Sequence, residues 1–258
     1  MNQTEPILSV WGLTKYFGGL AAVEDLGLSV NKGEIVSLIG PNGAGKTTTF
    51  NLITRLDSVT RGEITFKGER ITELRPHEIV ERGIARTFQI TRIFRKMTLL
   101  ENVAVAQHIA IRPGLWSVLV SPSERRRERR GEEKAKEMLQ FVNLFSRREE
   151  LATNLSLGEQ KRLELGIALS MDPELLLLDE PVAGMNPKET QEVIDLIGVI
   201  REKGISVLLI EHDMRMVMGI SEKIIVLNYG KKIAEGSPED VSLNPSVVEA
   251  YLGRKECQ

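Results

Sequence analysis

The sequence predicts an α/β fold in which a doubly wound, mainly parallel sheet carries a small antiparallel β layer and a helical insertion. Three observations support this. Residues 35–39, 175–178, 207–210 and 224–227 are short apolar runs with next to no polar alternation, the pattern of strands buried on both faces. Helix-periodic stretches separate them, notably 188–203 ahead of the third run, and strand–helix alternation of this kind builds a doubly wound core. A glycine-rich loop closes the first run and opens a helical stretch, as in a phosphate-binding strand–loop–helix unit.

The other elements follow in chain order. Residues 7–10, 26–30 and 62–68 alternate and are punctuated by glycine, which predicts an antiparallel layer flanking the core. Residues 90–164 have little strand character and much helical periodicity, and read as an insertion into the core. Within them, the Arg/Lys/Glu-rich run 124–136 reads as a solvated helix face with opposite charges three and four apart. After Gly230, a turn at Gly236 and Pro238 precedes a short helical pattern ending near Leu252. The chain is expected to be one domain over 1–258: β layer and first part of the core in 1–89, helical part in 90–164, remainder of the core and tail in 165–258.

Composition narrows the function classes. Of 258 residues, 41% are hydrophobic and 27% charged, with a net charge of −2; this is ordinary for a folded domain and gives no electrostatic case for binding nucleic acid. The single cysteine, Cys257, rules out an internal disulfide framework and fits a reducing compartment. The first residues lack a basic stretch followed by an apolar run, so no signal peptide is expected. No run of about 18 apolar residues predicts a membrane span, so any work at a membrane is expected to be done by docking on another subunit.

The loop Gly40, Pro41, Asn42, Gly43, Ala44, Gly45, Lys46, Thr47 fits the P-loop pattern G-x-x-x-x-G-K-[ST] without a departure, and Thr48 follows it into the helix. Glycines let backbone N–H groups curl around phosphate oxygens, and the helix N-terminus adds favourable partial charge. Lys46 is expected to reach the β- and γ-phosphates of ATP, and the Thr47 hydroxyl to ligate Mg2+. The run 175–178 ends in Asp179 and Glu180. Asp179 is expected to face Mg2+, usually through water, and Glu180 to orient and polarise the attacking water.

The segment Leu155, Ser156, Leu157, Gly158, Glu159, Gln160 lies about twenty residues before Asp179 and resembles the signature of ABC ATPases, usually written LSGGQ. The resemblance implies the ABC ATPase fold, a P-loop NTPase (RecA-like) core with the β layer and helical subdomain described above. It also implies a head-to-tail dimer in which each signature closes on the ATP held by the partner's P-loop. Leu157 replaces the first glycine and Glu159 the glutamine, while Ser156 and Gly158, which touch phosphate in the family, are kept; Glu159 is counted with them in the nucleotide site. Further positions match the family. Gln89 corresponds to the Q-loop glutamine, which senses γ-phosphate and Mg2+. His212 corresponds to the switch histidine, and 183–186 to the D-loop, with Asn186 where many members have Asp. Phe17 stands where the family stacks an aromatic ring on adenine, with Tyr16 beside it as an alternative. His77 and His108 read as structural or exposed.

Several segments resemble the LivG-type ATPases of branched-chain amino acid uptake systems: Ala85, Arg86, Thr87, Phe88, Gln89; 93–98 with Glu101, Asn102 and Val103; 182–187; and the ending 244–253. The extra residues in 107–137 fit the same group. This resemblance implies an importer ATPase at the cytoplasmic face of the membrane. Its implied partners are two transmembrane permease subunits, a second ATPase subunit (a paralogue or a second copy) and, indirectly, a solute-binding protein. A lipopolysaccharide-export ATPase and a soluble ribosome- or nucleic-acid-coupled ABC ATPase are the alternatives.

Overall fold

The computed structural model describes residues 5–87, 93–110 and 122–252. Two compact units are distinguished: one comprises Met1–Arg86, Glu174–Glu180 and Ile197–Gln258, the other Thr87–Pro173 and Pro181–Leu196.

The first unit holds two sheets. Strands β1 (Leu8–Phe17) and β2 (Leu20–Val30) form an antiparallel hairpin, β3 (Ile35–Ile39) leads through the glycine-rich loop into helix α1 (Lys46–Ile53), and β4 (Arg61–Phe66) and β5 (Glu69–Arg70) follow. Helix α2 (Pro76–Glu81) then precedes a short strand, β6 (Ile84–Arg86). The antiparallel sheet runs in the order β2-β1-β4-β5. Its apolar faces, together with Phe50, Leu52 and Ile53 of α1 and Leu38 of β3, form one fully buried cluster. Each such aliphatic side chain contributes about 1.5–3 kcal/mol on burial.

The second unit carries α3 (Leu99–Ala110), α4 (Pro122–Phe141), short 3-10 turns at Phe145–Arg147 and Ala152–Asn154, and α5 (Leu157–Leu169). In the C-terminal part of α4, Lys136 pairs with Glu132 and Glu133 at 2.8 and 3.1 Å, while Ala135 and Leu139 are buried. The charged run is thus a solvated face wherever its side chains are described. Arg129 and Arg130 within it are exposed.

The chain then lays down β7 (Leu175–Asp179), α6 (Pro187–Glu202), β8 (Ser206–Ile210), α7 (Met214–Ile220), β9 (Lys223–Asn228), β10 (Lys231–Gly236), α8 (Pro238–Ser242) and α9 (Pro245–Leu252). The larger sheet runs β10-β9-β3-β8-β7-β6 and is parallel except for the β10–β9 edge pair. Both faces are covered. Ile225 and Leu227 of β9 join the large cluster, and their neighbours Ile224 and Val226 point into a second one with Val217, Val241 and Val247. That double burial is why the strand runs carry no polar alternation. The four core strands fall where the sequence predicts them. Strands β6 and β10 do not stand out in the sequence, because one is three residues long and the other is a largely polar edge strand without alternation.

Candidate functional site

The P-loop joins the buried end of β3 to α1, and close backbone approach requires two of its glycines, Gly40 and Gly45. A Cβ on Gly40 (φ 149°) would stand 2.1 Å from the Leu227 carbonyl oxygen, and one on Gly45 (φ 100°) 2.4 Å from that of Ala22. Lys46 is buried, and its Nζ donates to the carbonyls of Gly40 (2.7 Å) and Pro41 (3.0 Å). Burial pushes its pKa down, while the nearby carboxylates Glu180 and Asp179 act in the opposite direction. The structure therefore brings Lys46, Asp179 and Glu180 together, although more than 130 residues separate the lysine from the carboxylates. Thr47 is exposed and Thr48 half-buried at the start of α1.

Asp179 is buried at the C-terminal end of β7, with Glu180 directly after it. Glu180 adopts φ 50°, a left-handed conformation that is costly for a residue with a side chain. Its N–H is tied to the Ile210 carbonyl at 2.9 Å, and its Oε1 lies 3.0 Å from His212 Nε2. His212 follows β8. The buried Glu211 carboxylate accepts the His212 N–H at 2.9 Å, and Asp213 caps α7 by accepting from the N–H groups of Arg215 and Met216. The turn after β8 is thereby fixed on both sides of the histidine.

Arg86 belongs to this cluster, and the chemistry of the sequence alone does not single it out. Its side chain is 5% exposed and donates to Asp179 Oδ2 at 2.8 Å, to Asn51 Oδ1 at 2.8 Å and to Thr54 Oγ1 at 3.3 Å. Its guanidinium also sits 5.3 Å from the Phe50 ring centroid. An arginine closing an apolar strand three residues before Gln89 is the only sequence signal for this contact. Gln89 itself lies outside the described residues.

In the second unit, Ser156 caps α5. Its Oγ accepts from the Glu159 N–H at 3.3 Å, and Glu159 Oε2 accepts the Ser156 N–H at 2.9 Å, a reciprocal capping box. Glu159 also pairs with Arg147, which accounts for a carboxylate in place of the family's amide. Partial burial alone would raise the Glu159 pKa, but Arg147 and the Ser156 N–H outweigh it and hold the carboxyl below its ordinary value. Leu157 lies against Gly184: a Cβ there would stand 3.1 Å from Leu157 Cδ2. Asn186 caps α6 through its side-chain oxygen, which accepts from the N–H groups of Lys188 and Glu189 at 3.0 Å each. An aspartate would make the same two bonds, so the amide keeps this cap.

Phe17 ends β1, 48% exposed, with Lys15 Nζ 4.8 Å from its ring centroid; Tyr16 beside it is 40% exposed. A cavity of about 630 Å³ is lined by Pro41, Asn42, Gly43 and Ala44 of the P-loop together with Tyr229 and Glu249, among others. Neither Lys46 nor the Asp179–Glu180 pair lines it. The Tyr251 hydroxyl of α9 lies at the Gly40 backbone; burial raises its pKa and that contact partly offsets the rise. The C-terminal helix thus packs directly on the loop.

For Mg2+, the fitting donors in this unit are the exposed Thr47 hydroxyl and the Asp179 carboxylate. Among the described residues no group of three or more His, Cys, Asp or Glu side chains forms a metal cage. A hydroxyl and one carboxylate suit a Mg2+ held largely by water and substrate phosphates.

Comparison with known proteins agrees with this geometry. The ABC transporter family model matches residues 23–183, and that of the branched-chain amino acid ATP-binding cassette transporter matches 231–256, a segment that contains β10, α8 and α9. The high-affinity branched-chain amino acid transport ATP-binding protein LivG of Escherichia coli is 46% identical over 252 residues, covering 97% of this chain and 99% of that one. The lipopolysaccharide export system ATP-binding protein LptB of Haemophilus influenzae is 37% identical over 249 residues, covering 96% and 98%. A crystal structure of a nucleotide-free ATP-binding cassette from an ABC transporter superposes with a TM-score of 0.86 at 32% identity, covering 97% of this chain and all of that one. A dimeric cassette in a post-hydrolysis state, bound to ADP and phosphate, superposes at 0.75 with 27% identity, covering 90% and 98%. Similarity at this level, continuing through the tail, is not confined to the motifs: the chain belongs to the ATP-binding proteins of ABC transporters, and within them to the branched-chain amino acid group.

Proposed function

We propose that this chain binds and hydrolyses ATP, paired head to tail with a second cassette, and so powers the uptake of branched-chain amino acids. The observation that carries the chemistry is the convergence of Lys46, Asp179 and the Glu180–His212 pair at the ends of adjacent parallel strands. In this reading the P-loop N–H groups and Lys46 hold the β- and γ-phosphates, and Thr47 and Asp179 hold Mg2+, which neutralises phosphate charge when bound. Glu180 orients a water and draws its proton as the oxygen attacks the γ-phosphorus. The bond to the β,γ-bridging oxygen breaks, and ADP leaves with phosphate. His212, bonded to Glu180, holds that carboxylate in place and reaches the γ-phosphate. Phe17 or Tyr16 stacks on adenine, Gln89 reports nucleotide state, and Ser156, Gly158 and Glu159 serve the partner's ATP.

No helix among the described residues is long and apolar enough to cross a membrane, so the transported solute passes through other subunits. We place the chain at the cytoplasmic face of the cell membrane on two permease subunits, with a paralogous or identical second ATPase and a solute-binding protein supplying the substrate. The higher identity to LivG than to LptB favours import of branched-chain amino acids over lipid export. Two measurements test the reading. The purified chain should hydrolyse ATP in a Mg2+-dependent manner. Detergent extraction should recover it with two polytopic proteins and a second cassette; co-purification with lipid-export subunits instead would overturn the import assignment.

A further inference from the structure

Glu189, in the first turn of α6, has no role in the chemistry above, yet its carboxylate sits on the signature. Oε1 accepts from Ser156 Oγ at 3.4 Å, while Oε2 accepts the Asn186 N–H at 3.2 Å. Gly158 makes room for it: a Cβ there would stand 2.8 Å from both the carboxyl carbon and Oε1 of Glu189. A negatively charged group therefore rests on the serine and glycine that open α5, where the N-terminal partial charge favours an anion. The other end of the same carboxylate closes the loop that carries Asn186. Glu189 thus joins the signature to that loop through one side chain.

We infer that Glu189 is a built-in occupant of the signature's anion position, which the γ-phosphate of the partner-bound ATP must displace for the two cassettes to close. This rests on the head-to-tail reading above. Three consequences follow from the geometry. Displacement breaks the Ser156–Glu189 bond, so Oε1 is released while Oε2 still caps the loop. Closure is opposed electrostatically until the carboxylate turns about its retained Asn186 bond and takes Oε1 off Ser156, which sets an ATP threshold for dimerisation. The strength of the opposition depends on charge and reach, and not on capping, because an amide caps equally well.

The test uses the full chain carrying Glu180→Gln, expected to hold an ATP-bound dimer, with dimerisation followed by light scattering as ATP is raised. Adding Glu189→Gln keeps the size and the acceptor for Asn186 but removes the charge. Adding Glu189→Asp keeps the charge but shortens the side chain so that it does not reach Ser156. Both should lower the ATP concentration at half-dimerisation by at least about fivefold, the scale of the repulsion between two negative charges about 4 Å apart even when bulk water screens them. Raised salt should shrink the advantage of the Gln variant by screening. A half-point unchanged within twofold in both variants, or raised in both, overturns the inference and leaves Glu189 as a cap. Absence of any ATP-dependent dimer in the Glu180→Gln parent instead overturns the head-to-tail reading itself.

Discussion

Lys46 answers two opposed demands, and the conflict is visible in its surroundings. Burial lowers its pKa below 10.5, while Glu180 and Asp179 support the charge. A lysine whose folded pKa lies below its unfolded value leaves the fold bearing part of the cost of that charge at neutral pH. Stability then rises as pH climbs from the folded value towards the unfolded one. Lys46→Met should therefore abolish binding of a fluorescent ATP analogue without lowering the melting temperature of the ligand-free chain; a fall of more than about 4 °C would mean the ammonium holds the loop together. Glu180→Gln tests the proposed base directly. It preserves shape and should retain ATP binding while hydrolysis drops about 10²–10⁴-fold, read as phosphate release. Arg86 is a different case, a buried cation paired with Asp179, the carboxylate proposed to face Mg2+. Arg86→Met removes one half of a buried pair and should cost about 3–5 kcal/mol in urea unfolding, with a weakened Mg2+ dependence of any remaining activity.

At the scale of elements, legibility in the sequence followed burial. The central strands could be read because both of their faces are covered, so apolar residues fill every position from Leu175 to Leu178. β10 could not, because it is an edge strand whose Lys231, Lys232 and Glu235 are exposed and break any apolar run. The P-loop was legible since its glycines answer backbone constraints that no other residue meets. Glu189 and Arg86 were not, because their significance lies in what they touch, and neither type nor spacing encodes that contact. The start of α5 shows both situations. Ser156 with Glu159 is a readable capping box, but the reason for a carboxylate at 159 is Arg147, twelve residues upstream in a 3-10 turn. The Glu159 pKa is lowered, so the ionised group contributes stability above its unfolded value, and this is lost as pH falls through the folded one. Glu159→Gln, the usual family residue, should cost about 0.5–1 kcal/mol at neutral pH for a partly exposed pair, and in urea titrations the difference from the parent should begin to shrink below about pH 4.3, the ordinary glutamate value, and vanish only below the folded one.

At the scale of the whole molecule, catalysis is expected to belong to a pair of chains. The P-loop, Asp179, Glu180 and His212 belong to one compact unit and Ser156 and Gly158 to the other, and in the proposed head-to-tail arrangement each ATP is held by the first unit of one chain and the second unit of its partner. The chain alone in solution meets such a partner only by collision with another copy. If hydrolysis needs both halves, then below the dimer dissociation constant the rate should grow with the square of chain concentration, and doubling the chain should double the specific activity. At high concentration the specific activity should level off. Adding Ser156→Arg chains, whose P-loop is intact but whose capping side is blocked, should restore activity to Lys46→Met chains in a one-to-one mixture, since one composite site of the mixed pair keeps an intact P-loop facing an intact signature. Specific activity independent of dilution, together with no restoration on mixing, would assign hydrolysis to the single chain. The signature helix would then be left as an element of the fold alone.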